Sequence, residues 1–304
     1  MSTETPGTKK SASVEPEAIE FAAADGTSLT GRFFSGGSAK QSNPILVCTA
    51  TGVPQRFYAP FARWLAQQGI DVFTFDYRGI GASLREAHVR QCRARKQEWG
   101  QLDMPAALDW LRQRSGAETV DLVGHSAGAQ LVGLMHNHSA IRRLLMVSGS
   151  SGYVRGLRFP YRIAAYGYLQ FYLPATAGLL GYSPSRVIGM GEDLPAGVAR
   201  QWSRWCLRPG YVANEFGRGV TRHYYDEFRA PIVSLYASDD SIATKRNVDD
   251  LLRLFPNAPK QTVCLEPRQF NVPRFGHVDF FRASRSAAWP LALDWLRAGK
   301  LPAD

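Results

Sequence analysis

From Pro44 onward, short runs rich in Val, Ile, Leu and Phe alternate with stretches whose apolar residues recur every three or four positions. A run that is apolar at consecutive positions predicts a strand buried on both faces, and the longer period predicts a helix with one apolar stripe. The pattern predicts strands over 45–49, 71–75, 120–123, 144–148, 232–237 and 261–265, and helices over 58–68, 102–112, 129–136, 244–255 and 286–297. Ahead of these, 18–21 and 28–34 flank the turn-forming pair Asp25-Gly26 and read as an antiparallel hairpin at a sheet edge. Strands and helices in this alternation build an α/β architecture, a mostly parallel twisted sheet with helices on both faces.

The alternation breaks once. Residues from Gly149 to about Tyr225 are too many for a crossover and are crowded with aromatics, among them Phe159, Tyr161, Phe171, Trp202 and Trp205. Connections of this length inside compact domains carry function, lids among them. The expected organisation is a disordered tail over 1–16, a core from 17–149 and 226–304, and an inserted helical cap over 150–225.

Composition narrows the picture further. With 45% hydrophobic residues over 304 positions, the chain can bury a core without disulfides or metals. Cys48, Cys92, Cys206 and Cys264 lie far apart with no C-x-x-C pair, which suits reduced thiols and predicts no metal site. The N-terminal 17 residues lack the apolar run of a signal peptide, and nothing later approaches the roughly 18 apolar residues of a membrane span. A cytoplasmic location without a stable membrane anchor is the expectation. The net charge of +10 is concentrated in part between Arg85 and Lys96. No aromatics interleave there and no nucleic-acid module surrounds it, so it reads as a solvated face with no nucleic-acid partner. No G-x-x-x-x-G-K or G-x-G-x-x-G element is present, and no cofactor is expected.

The chemistry is carried by Gly124-His125-Ser126-Ala127-Gly128, which follows the strand at 120–123 and opens a helical pattern. G-x-S-x-G between strand and helix is a nucleophile elbow: a strained turn lifts the serine hydroxyl off the sheet edge and places it at a helix N-terminus. Serine needs a base within hydrogen-bond reach. Among six histidines, His277 lies after the last strand and before the last helix, at the strand ends where Ser126 sits. The acid should follow an intervening strand; 149–152 offers none, whereas Ser238-Asp239-Asp240 offers two. Adjacent residues point in opposite directions, so only one of the two can face His277. For the oxyanion, the expected backbone donors are Ala127, which follows the nucleophile, and Val53, in the turn Thr51-Gly52-Val53-Pro54.

These segments, with 50–58, 75–83 and Phe275-Gly276-His277, resemble the α/β-hydrolase superfamily, in particular its serine-aminopeptidase and lysophospholipase-like branch. The resemblance spans about 18–298 and is loose over the cap. It implies the α/β-hydrolase fold with an acid in a G-x-x-D-x-[IV]-x-P run, which assigns Asp240 over Asp239, although Ala237 and Thr244 replace the terminal Gly and Pro. The family's His-Gly before the oxyanion turn is replaced by Thr51-Gly52. Asp76 and Arg78 are expected to tie their turn structurally.

The implied activity is hydrolysis of a carboxylic ester, thioester or amide of a small-molecule substrate with a hydrophobic acyl group, through an acyl-enzyme on Ser126. An aminopeptidase would need a carboxylate for the substrate amine, with Glu192, Asp193 and Glu215 as candidates. A triad peroxidase or carbon-carbon hydrolase, or a binding protein on the same scaffold, are the alternatives.

Overall fold

The computed structural model describes residues 14–37 and 42–300. Most of the expected N-terminal tail lies outside these; of its last residues, Val14 packs on the core and its carbonyl accepts from Arg63 Nε.

Eight strands form one sheet: β1 (Glu17–Ala22), β2 (Ser28–Phe34), β3 (Ile45–Cys48), β4 (Val72–Phe75), β5 (Val120–His125), β6 (Ile141–Val147), β9 (Ile232–Ala237) and β10 (Lys260–Leu265). A separate short pair, β7 (Tyr182–Ser183) and β8 (Leu194–Pro195), lies between β6 and β9 in sequence. The order is β1-β2-β4-β3-β5-β6-β9-β10, with β1 and β2 antiparallel and every pair from β4 to β10 parallel. β3, β4 and β5 are buried at every residue, as their unbroken apolar runs require, whereas the edge strand β1 buries only alternate side chains.

The helices are α1 (Ala59–Gln67), α2 (Lys96–Glu98), α3 (Met104–Ser115), α4 (Ala127–Gln130), α5 (Tyr161–Gly167), α6 (Leu173–Leu179), α7 (Ala196–Cys206), α8 (Lys245–Leu252) and α9 (Trp289–Ala298). One apolar cluster joins α1 and α9 to the sheet face of Val47, Val123, Leu145 and Leu235. The other packs α3, α7 and α8 with Leu46, Leu122, Leu144 and Met146 on the opposite face. Among the described residues no helix is long and apolar enough to cross a membrane.

Two expectations need correction. The helix expected over 129–136 is a single α turn, α4, followed by a 3-10 turn at Val132–Leu134. Its carbonyls are claimed from outside: Tyr225 Oη donates to the Gln130 carbonyl, and the Tyr224 N–H donates to the Gly133 carbonyl. The basic segment is also not uniformly solvated. Arg85, Arg90, Arg93 and Arg95 are exposed, but Lys96 is fully buried at the start of α2.

Between β6 and β9 the chain runs through α5, α6 and α7 before returning to the sheet. All the large apolar side chains left exposed among the described residues fall within 159–188 of this segment.

Candidate active site

The elbow forms where β5 ends. Ser126 takes φ 48° and ψ −106°, a conformation disfavoured for an L-residue, and its N–H donates to the Val147 carbonyl of β6 at 3.0 Å. The flanking glycines are sterically required. A Cβ on Gly128 would sit 2.2 Å from the Cys48 carbonyl oxygen, and one on Gly124 would sit 2.6 Å from the Ala129 nitrogen.

Three separate loops bring Ser126, His277 and Asp240 together. The Ser126 hydroxyl lies 3.0 Å from His277 Nε2, and His277 Nδ1 lies 2.9 Å from Asp240 Oδ2. Asp240 is fully buried, and its other oxygen accepts from the Ile242 N–H at 2.7 Å and the Ala243 N–H at 3.0 Å. Burial pushes this carboxyl up, but the charge and hydrogen bond of His277 and the two amides outweigh it, so the net shift is downward and Asp240 stays ionised. With Asp240 accepting, His277 Nδ1 carries a proton, and in the neutral ring Nε2 is the acceptor that faces the serine.

Asp239 has a different place. Its carboxylate accepts from the Phe275 N–H at 3.1 Å and the Gly276 N–H at 3.0 Å, clamping the loop that carries His277. Both acids thus engage the same loop, one through the imidazole and the other through the backbone.

Of the two backbone donors expected for an oxyanion, one is free among the described residues and one is not. The Ala127 N–H, first in α4, has no acceptor among the described residues. The Val53 N–H is already taken by the Ala50 carbonyl at 3.2 Å, so it is not a free donor. The Thr51 N–H in the same turn has no acceptor among the described residues.

A linkage that motif reading missed runs beneath the site. The Ala50 N–H donates to Tyr58 Oη at 2.9 Å, and that hydroxyl lies 2.7 Å from His125 Nδ1. His125 Nε2 lies 2.8 Å from the His277 carbonyl. A carbonyl can only accept, so Nε2 carries the proton and Nδ1 accepts from Tyr58. Burial, with the charge of His277, lowers the His125 pKa to about 3, so the ring is neutral. Tyr58 and His125 therefore tie the turn after β3 to the elbow and to the His277 loop.

The remaining candidates are committed elsewhere. Asp76 accepts from the Gln55 and Ala82 N–H groups, and Arg78 pairs with Asp103 and Asp25. Glu192 pairs with Arg56 and Arg186, Glu215 pairs with Arg204, and Asp193 accepts from the Arg186 N–H. His88, His138 and His223 contact Tyr182, Tyr224 and Phe216. No cluster of three or more metal-ligating side chains occurs among the described residues.

Strand order, elbow and a histidine loop behind the last strand define an α/β-hydrolase fold. The family described as alpha/beta hydrolase fold matches residues 44–154 of the chain. The chain is similar to the uncharacterized protein YfhR of Salmonella typhi, 32% identical over 123 residues, which are 39% of this chain and 39% of that protein. YfhR of Escherichia coli K12 is 39% identical over 70 residues, 22% of this chain and 25% of that one. The likeness to these relatives therefore spans well under half their length. Among solved structures, a soluble variant of monoglyceride lipase from Saccharomyces cerevisiae superposes with a TM-score of 0.66 at 14% identity, covering 97% of this chain and 99% of that one. The Pyrococcus furiosus esterase Pf2001 superposes at 0.59 with 15% identity, covering 97% and 95%. The esterase domain of a Rhodothermus marinus protein gives 0.57 at 18%, covering 93% and 98%. At these identities the likeness is one of fold.

Proposed function

We propose that the protein is a serine hydrolase that cleaves a carboxylic ester, with thioesters and amides as chemically related substrates, through an acyl-enzyme on Ser126. The observation that carries this reading is the continuous chain from the Ser126 hydroxyl through His277 to Asp240, at 3.0 and 2.9 Å. In this reading His277 Nε2 removes the hydroxyl proton as Ser126 attacks the acyl carbon, then returns it to the leaving alcohol. Asp240 holds the imidazole tautomer and stabilises the transient imidazolium. The free Ala127 N–H, at the helix N-terminus, stabilises the developing oxyanion. The second donor is the Thr51 N–H, since the one on Val53 is occupied. Water then repeats the sequence to release the acid.

The segment 150–225 would act as a cap, and its aromatic and apolar content favours a hydrophobic acyl portion. The esterases and the lipase that share the fold agree with this reaction class. An aminopeptidase is disfavoured because Glu192, Asp193 and Glu215 already have partners. The test is labelling by a fluorophosphonate probe, with Ser126→Ala as control and p-nitrophenyl esters of increasing acyl length. Labelling that vanishes in Ser126→Ala, with turnover of at least one ester, is expected; folded wild-type protein that neither labels nor turns over any ester would overturn the proposal.

A further inference from the structure

Lys96 is fully buried, yet it has no carboxylate within ion-pairing distance among the described residues. Its ammonium makes one hydrogen bond, to Thr51 Oγ1 at 2.5 Å, and lies 4.5 Å from the Trp99 ring centroid and 5.5 Å from that of Trp202. The acids of this region are engaged: Asp103 with Arg78, Glu192 with Arg56 and Arg186, and Glu98 with the Arg95 N–H. An ammonium has three N–H donors, so two are left over. An isolated buried cation is costly, and the two rings offset only part of that cost. Burial lowers its pKa to about 7, against a smaller opposing influence of Cys206.

Residues packed against the neighbours of Lys96 carry unused donors. Tyr77 Oη, Trp205 Nε1 and Tyr211 Oη are buried without a hydrogen-bond partner. The Tyr77 ring stacks on Trp99 at 4.6 Å, and Tyr211 packs against Trp205, the neighbour of Cys206, at 5.1 Å. A buried cation without a counter-ion, with unpartnered donors on residues that pack against its Trp99 neighbour or share α7 with Trp202, is an arrangement that an anion would complete. Its position adjoins the proposed reaction centre. Thr51 belongs to the turn proposed to hold the oxyanion, and Trp202 and Cys206 come from α7 of the inserted segment. Thr51 Oγ1 accepts from Lys96 and so keeps its own proton to donate to the same anion.

We infer that Lys96, with Thr51 Oγ1, receives a carboxylate group of the substrate, so that the preferred substrates are esters that also carry one free acid. This rests on the hydrolase reading above. A single carboxylate balances a single ammonium, whereas a phosphate monoester would bring nearly two charges. The pair would form away from bulk water, where it discriminates strongly against neutral isosteres.

The test compares two matched pairs with wild type, Lys96→Met and Lys96→Arg. Monophenyl glutarate against phenyl hexanoate places the acid on the acyl side; 4-acetoxybenzoate against 4-methylphenyl acetate places it on the alcohol side. In one pair, wild type should favour the acid-bearing ester by at least about tenfold in kcat/KM. Lys96→Met should abolish that ratio mainly through KM, and Lys96→Arg should retain part of it. The inference is overturned if wild type prefers the neutral ester in both pairs. It is equally overturned if Lys96→Met lowers both members alike in kcat, which would make Lys96 a support of the Thr51 turn. Should Ser126 label while neither pair turns over, slowing of that labelling by glutarate or 4-hydroxybenzoate in wild type but not in Lys96→Met supports the site, and its absence overturns it. Failure of Ser126 to label at all, with no ester cleaved, removes the hydrolase reading itself.

Discussion

Replacing Tyr58 by Phe removes one oxygen and leaves the ring where Phe281 packs against it, at 4.8 Å between centroids. That oxygen accepts from the Ala50 N–H and donates to His125 Nδ1, all in fully or nearly fully buried surroundings. Without it a backbone donor and a ring acceptor both lose their partners. At about 1–3 kcal/mol for each unsatisfied buried group, the loss of stability should be about 2–6 kcal/mol. His125 cannot escape by protonating, because its pKa is held near 3. It also cannot change tautomer without turning a bare Nε2 against the His277 carbonyl, 2.8 Å away. Either way the turn after β3 and the His277 loop lose a common anchor. The rate of Ser126 labelling by a fluorophosphonate should therefore fall about 10- to 100-fold, as a small misplacement of reacting groups does elsewhere. Urea unfolding with an unchanged m-value measures the stability, and stopped labelling time courses measure the rate. A variant within about 0.5 kcal/mol of wild type that labels equally fast would refute the idea that this hydroxyl organises the site.

Other substitutions separate the remaining roles. Asp240→Asn presents an amide N–H to His277 Nδ1 and favours the wrong tautomer, so kcat for ester hydrolysis should fall about 10⁴-fold with the fold intact by circular dichroism. Asp239→Asn keeps an acceptor for only one of the Phe275 and Gly276 N–H groups, but it leaves the His277 ring and its tautomer untouched and should cost far less, about tenfold, in the same assay. A reversal of that order would exchange the two assignments. Gly128→Ala forces a Cβ to within 2.2 Å of the Cys48 carbonyl and should destabilise by about 3 kcal/mol or prevent folding, read by thermal unfolding. The Lys96 amine is depressed from 10.5 to about 7, so the folded state binds fewer protons than the unfolded state between those values and stability rises with pH across that window. Lys96→Met should therefore be more stable than wild type at pH 6, by up to about 5 kcal/mol, with the gap closing towards pH 10.5. A pH-independent difference in urea unfolding would contradict this.

What the sequence made legible follows from how local each cause is. The strands β3, β4 and β5 could be placed to within a residue or two because burial on both faces writes an unbroken apolar run into the chain, and all three are buried throughout. The elbow was legible for the same reason: its strain and its two steric requirements lie within five consecutive residues. The helix after it was not, because the groups that interrupt it, the Tyr225 hydroxyl and the Tyr224 N–H, come from about ninety residues downstream.

Lys96 reads as one cation in a basic run, and its ammonium lies against Trp202, over a hundred positions away. Tyr58 shows only as an aromatic at the start of a helix until His125, 67 residues later, is set against its hydroxyl. Alternation along Asp239-Asp240 implied that only one carboxylate faces the imidazole. It could not show that the other turns back onto the Phe275 and Gly276 amides, since backbone groups leave no mark in a sequence. The proposed chemical groups are therefore readable from motifs, whereas the contacts that would hold them in register, and the one cation that would select among substrates, exist only once distant segments have folded together.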